Sequence, residues 1–268
     1  MQEFDMNKKF VWLFTAFFLA YFILKFLAGF YIDYQWFSLN SGLSVFWVLF
    51  MTKFNVQAIF GIIFIILFLL NFLLIRLLGG KGRFFSENFL DRIQLPAIGS
   101  PRKLLLIILT AGVVFLGFAM GGGASAYWKE YLLFKNSLPF TGFTPDPVFS
   151  RDIGFYVFSL PFYQFLYGWF MSTLVIITIF TFILHFFNGA IYRENNRWEL
   201  SLFCRAHLSI LLALIVILYG FSYQIAAYEL LFSQIGKFYG AGYAAIHASL
   251  LSYRVAEVIS FIAGGLLL

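Results

Sequence analysis

Charge, cysteine and histidine are all scarce in this chain of 268 residues, and each scarcity removes a class of function. Charged residues make up 11% of the chain, against roughly a quarter in soluble proteins, so a water-exposed globular surface is excluded. The single cysteine, Cys204, rules out an internal disulfide, a CxxC redox pair and a thiolate-rich metal site. It reads as a buried or lipid-facing thiol. Three histidines are too few and too far apart for a metal cluster: His185 and His207 bracket one loop, whereas His247 falls on the opposite side. A b-type haem would need a facing pair deeper in a bundle, and no cofactor is expected. No Walker A, HExxH or GxSxG pattern occurs, nor a GxGxxG after a strand, so nothing supports an enzyme. Neither a tandem repeat nor two inverted halves is visible, which argues against a transporter built from repeats.

What the chain has is apolar length: 62% of residues are hydrophobic and the mean hydropathy is +0.89. Five runs are long enough to cross a bilayer, over residues 10–31, 55–78, 104–121, 162–187 and 208–232. A sixth opens near Ser249 and is still apolar at Leu268, so this sequence is expected to stop inside a membrane span. Lys8 and Lys9 before the first run resemble a secretory signal, but no small-x-small cleavage site precedes Tyr31, so the run reads as a retained span.

The loops between these runs alternate in Lys and Arg. The N-terminal tail has Lys8 and Lys9, the second loop and its flanks Arg76, Lys81, Arg83, Arg92, Arg102 and Lys103, and the fourth Arg193, Arg197 and Arg205. The first, third and fifth loops hold only Lys53, then Lys129, Lys135 and Arg151, then Lys237. Basic loops stay in the cytoplasm, so the N-terminus is cytoplasmic and the odd-numbered loops face outward. The basic residues sit at loop ends and form no single stripe, so orientation explains them better than nucleic-acid binding does. The fold class is therefore all-α, a polytopic helical bundle forming one transmembrane domain over residues 1–268.

Two loops carry more than a connection. Phe85, Phe89 and Ile93 recur at helical spacing opposite Glu87, Asp91 and Arg92, as in a short helix lying at the headgroups. On the other side, residues 124–136 place Trp128, Tyr131, Leu132 and Lys135 on one helical face, a second interfacial helix. A stretch punctuated by Pro139, Pro145, Pro147 and Pro161 follows, too broken for one helix and long enough to be ordered and functional. Gly117 and Gly121 form a GxxxG spacing, either a close helix contact or a break.

Ionisable groups inside spans carry a functional expectation by default. Lys25, Glu229, Arg254 and Glu257 are the candidates, all toward the outer ends of spans one, five and six. Arg254 and Glu257 lie three residues apart on one helix face, where they can pair. Either these side chains snorkel to the headgroups, or they form a polar cluster fixing the three spans or lining a cavity.

Three stretches together resemble the uncharacterised protein family 0182 of bacterial membrane proteins. They are Asp33-Tyr34-Gln35-Trp36-Phe37 with Ser44-Val45-Phe46-Trp47, the run from Asp146 to Tyr163, and Gly240-Ala241-Gly242-Tyr243 with His247-Ala248. The middle stretch is the specific one, and the resemblance covers essentially the whole chain. It implies a multi-span N-terminal half followed by a large extracytoplasmic region, in the bacterial cytoplasmic membrane. It carries over no catalytic residue. Where family members have an acidic residue between the Tyr and His of the third stretch, this chain has Ala244, Ala245 and Ile246.

All three stretches map to the outer side. The expectation is a non-enzymatic anchor or scaffold whose partners are the lipid bilayer and envelope proteins. Its platform is formed by Asp146, Arg151, Asp152, Phe155 and Phe158. In that platform a carboxylate accepts hydrogen bonds from Arg151 or nearby backbone, and the apolar stretch 153–161, cut from span four by Pro161, folds over the helix ends. A transporter or channel using the polar cluster is the alternative, and an enzyme acting on lipid or envelope polymer the third reading.

Overall fold

The computed structural model describes residues 2–78, 101–140, 142–194, 196–232, 234–235 and 238–268. The expected interfacial helix around Phe85, Phe89 and Ile93 lies outside them, as do the basic residues Lys81, Arg83, Arg92 and Lys237. Seven α-helices are described: α1 (Gln2–Leu39), α2 (Leu43–Leu78), α3 (Pro101–Ser125), α4 (Trp128–Lys135), α5 (Leu160–Phe187), α6 (Leu202–Glu229) and α7 (Leu250–Leu267). Six of the described helical stretches are long and apolar enough to cross a membrane, and all but α4 supply one. The protein is a multi-pass membrane protein with a helical bundle fold.

The chain divides into two compact units, Met1–Phe54 and Asn55–Leu268. In the first, α1 and the start of α2 are joined by a tight turn at Asn40–Gly42, where Ser41 takes a φ of 56°. An aromatic clasp holds the turn. The Phe46 ring lies 5.3 Å from Phe30 and 5.7 Å from Tyr34, and Phe50 lies 5.1 Å from Phe30. This clasp uses both halves of the first recognised stretch. Lys53, expected in a loop, lies inside α2, because no Gly or Pro falls between Leu43 and Phe60 and the helix extends through that stretch.

In the second unit, α2 contributes a stripe at four-residue spacing, Val56, Phe60, Phe64 and Phe68, buried against Val113 of α3, Phe162, Phe165, Trp169 and Ile177 of α5, and Leu211 of α6. The GxxxG spacing resolves as close contact and not as a break, since α3 runs on to Ser125. A Cβ on Gly121 would lie 2.3 Å from the Gln57 carbonyl oxygen, and one on Gly61 would lie 2.9 Å from that of Gly117. Only glycine allows two helix backbones to approach this closely.

Both α5 and α7 are entered through a π-helical turn, Phe155–Ser159 and Ala245–Ser249. The first corrects one expectation. Pro161 does not separate the apolar stretch from its span. The wider turn before it gives its ring room beside the preceding carbonyl, so the helix runs on unbroken from the stretch into α5.

At the opposite end of α5, a two-stranded hairpin pairs β1 (Ile191–Glu194) with β2 (Arg197–Leu200), an element not expected from the sequence. Asn196 turns it with a φ of 64°, a conformation asparagine tolerates. Ser201 then caps α6 by accepting a hydrogen bond from the Cys204 backbone N–H at 3.3 Å. A second short pairing, β3 (Gln234–Ile235) with β4 (Phe238–Tyr239), follows α6.

Candidate functional site

The Pro-rich loop is an ordered cap organised by two carboxylates. Asp146 accepts hydrogen bonds from the backbone N–H groups of Val148 (2.9 Å), Phe149 (2.6 Å) and Arg151 (2.8 Å), and from the Tyr156 hydroxyl at 2.7 Å. Burial of this carboxyl raises its pKa, but the hydrogen bonds from Phe149, Tyr156, Arg151 and Val148 outweigh it and leave the pKa below the usual aspartate value. Asp152 ties the cap's start to its end, accepting from Gly154 N–H at 2.7 Å and Phe140 N–H at 3.2 Å. Gly154 is needed there, because a Cβ would lie 2.7 Å from Asp152 Oδ1 and 2.8 Å from the Leu138 carbonyl.

Aromatic contacts seat the cap on the helices. Phe149 and Phe155 meet Tyr228 of α6 at 4.8 and 5.1 Å, and Phe158 stacks on Phe140 at 5.7 Å. The Arg151 guanidinium lies 5.2 Å from the Phe155 ring centre. The five residues expected to form a platform are thus together in one structure. Above them Leu138 is 74% exposed and Phe143 64%.

The four ionisable span residues are distributed differently. Lys25 belongs to the first unit and, with Asp33, lines a lateral hollow of about 490 Å³ beside Phe22 and Phe26. Glu229 accepts a hydrogen bond from the Gln164 amide of α5, a partner that sequence reasoning did not include. On α7, Arg254 is exposed and Glu257 partly so.

The polar feature that sequence reasoning missed is a buried chain at the hairpin end of α2, α5 and α6. Asn71 Nδ2 donates to Thr181 Oγ1 at 2.7 Å, Asn71 Oδ1 lies 2.9 Å from His207 Nε2, and His207 Nδ1 lies 3.3 Å from His185 Nε2. The Thr181 hydroxyl itself donates to the Ile177 carbonyl at 2.7 Å. That anchor gives the chain one direction. Thr181 accepts from the Asn71 amide, whose oxygen accepts from His207 Nε2–H, and with a neutral His207 its Nδ1 accepts from His185 Nε2–H. Among the described residues no group of three His, Cys, Asp or Glu side chains is placed to hold a metal ion.

A family model described as an uncharacterised protein family, UPF0182, matches residues 10–268. This chain belongs to the UPF0182 family. A UPF0182 protein of Desulfitobacterium hafniense is 31% identical over 257 residues, covering 90% of this chain and 26% of the relative. One from Pelobacter propionicus is 30% identical over 244 residues, with 90% and 27% covered. One from Clostridium botulinum strain Langeland is 33% identical over 170 residues, with 60% and 18% covered. The chain spans about a quarter of the length of the first and second of these relatives. No solved structure matches it.

Proposed function

We propose that this UPF0182 chain is the membrane anchor and scaffold of a cell-envelope complex in the bacterial cytoplasmic membrane, with a cytoplasmic N-terminus and the Asp146 cap facing outward as a docking platform. The observation that carries this reading is the cap itself. Four hydrogen bonds converge on Asp146 to hold it in one conformation, while Leu138 and Phe143 stand exposed above it. Exposed apolar side chains on a rigid support favour association, because little conformational entropy is lost on docking. Relatives several times longer than this chain carry further sequence as a natural occupant, alongside separate envelope proteins.

The test is crosslinking and co-purification from a full-length relative carrying the corresponding cap. Ser at the positions of Leu138 and Phe143 is expected to release partners or the downstream region, with membrane insertion unchanged. Retention of every partner after both substitutions removes the platform reading.

A transport reading is favoured by a different observation, the buried Asn71–His207–His185 chain, since hydrogen-bonded imidazoles inside a membrane bundle are suited to passing protons. It requires proton flux in proteoliposomes that is lost in His207→Phe.

A further inference from the structure

We propose that a cavity between α3, α4 and α5 binds the ammonium group of a membrane amphiphile, with Glu130 as counter-ion and Tyr127, Phe165 and Trp169 as an aromatic wall. The cavity measures about 600 Å³, within the range of small-ligand sites and far beyond the needs of a single water. It lies at the cap end of the bundle, and it is held open by composition. Gly123 and Gly168 both line it, and a Cβ added at either would meet nothing within 4 Å.

Its chemistry is that of ammonium recognition. Oε2 of Glu130 is buried, and among the described residues no group donates a hydrogen bond to it. A carboxylate with one oxygen left without a donor is costly, and a cation in the cavity that Glu130 lines offsets its charge. Rings complete the wall. Tyr127 stacks on Phe165 at 4.6 Å, Phe60 braces Phe165 at 5.1 Å and Trp169 at 4.9 Å, and the Trp169 indole N–H is fixed to the Met120 carbonyl at 3.2 Å. These rings line the same cavity as the Glu130 carboxylate, and an aromatic ring adds a quadrupole attraction for an alkylammonium. A hard metal ion needs six or more oxygen ligands, and these side chains do not supply them. The Gln164 amide nitrogen is engaged by Glu229, which leaves its carbonyl oxygen as a further acceptor at the rim.

The amphiphile follows from the position of the mouth. Ala119, Gly168 and Ser172 line the cavity, are exposed, and lie on helices that cross the membrane, so the opening faces acyl chains and not water. An alkyl tail can then lie along the apolar flank while the headgroup enters.

The experiment is native mass spectrometry of the 268-residue chain in mild detergent, titrated with phosphatidylethanolamine, with phosphatidylglycerol of the same acyl chains, and with free ethanolamine. Phosphatidylethanolamine is expected to bind about tenfold more tightly than phosphatidylglycerol, a preference that Glu130→Gln abolishes. Gly168→Leu, which fills open space and leaves Glu130 intact, is expected to remove binding of both lipids at this site, so the proposal stays testable if Glu130→Gln does not fold. Equal affinity for the two lipids overturns the proposal, as does binding unchanged in both variants. Free ethanolamine binding as tightly as the lipid overturns the amphiphile and leaves a soluble amine site.

Discussion

The imidazoles of His185 and His207 stand at 89° to each other with their facing nitrogens 3.3 Å apart, so each ring presents an edge to its neighbour across the contact of α5 with α6. Asn71 extends the link to α2. Three helices that share only apolar surface would slide with little penalty, since lipid tails pack against them nearly as well as they pack against one another. A polar chain with one permitted direction sets their register.

The energetic consequence is coupling between Asn71 and His207. Asn71→Ala and His207→Ala should each destabilise the bundle, and the double variant should cost less than the sum by about 0.5–1.5 kcal/mol. Unfolding in mixed detergent micelles gives the three values. Strict additivity would mean that the hydrogen bond contributes nothing to helix association.

The Asp146 cap should be acid-sensitive. Its carboxyl has a lower pKa folded than the ordinary value of 3.8, so it contributes stability that is present above that value and is lost as pH falls through the folded pKa. Cleavage of the cap by an acid-stable protease should therefore be slow at neutral pH and accelerate below about pH 4. Asp146→Asn should abolish the dependence and open the cap at every pH. Asp146→Ala should cost about 2 kcal/mol, the lower range for hydrogen bonds to a charged group, because the site is partly solvated.

The spans and the cap were legible because their signals are collective. Six apolar runs cannot be placed otherwise, whereas the stretch 153–161 runs straight into α5 and leaves Ile153 and Val157 exposed. The buried chain was not legible for the opposite reason. Asn71 is a single polar residue in a long apolar run, and its meeting with Thr181 across 110 positions leaves no local pattern. The β1–β2 hairpin was hidden by its mostly exposed, four-residue strands, with Asn195-Asn196 as its single local signal. The cavity escaped because Gly123, Gly168 and Glu130 acquire meaning only when three helices are placed together.

The crossing of α2 and α3 makes a sharper prediction. Gly121 and Gly122 are neighbours of the same type, yet a Cβ at Gly121 would meet backbone at 2.3 Å and one at Gly122 would meet nothing within 4 Å. Gly121→Ala should lower stability by about 1–3 kcal/mol through forced separation of the helices, while Gly122→Ala should be neutral or slightly stabilising. Equal effects at the two positions would show that the helices do not approach through this face.

Orientation is the last expectation, and the hairpin supplies a clean probe of it. Arg193 and Arg197 are exposed on β1 and β2, and Arg205 is exposed near the start of α6, so one end of the bundle carries a basic group. Lys135 is exposed at the end of α4, beside the cap, where basic residues are fewer. Positive charge is retained on the cytoplasmic side during insertion, so the proposed orientation has the hairpin in the cytoplasm and the cap outside. Cys204 is fully buried and next to alanine in size, so Cys204→Ala gives a quiet background for labelling. In that background Lys135→Cys should react with a membrane-impermeant maleimide on intact cells, and Arg193→Cys only after permeabilisation. The reverse pattern would turn the bundle over, place the Asp146 cap in the cytoplasm, and end the reading of it as an extracytoplasmic platform.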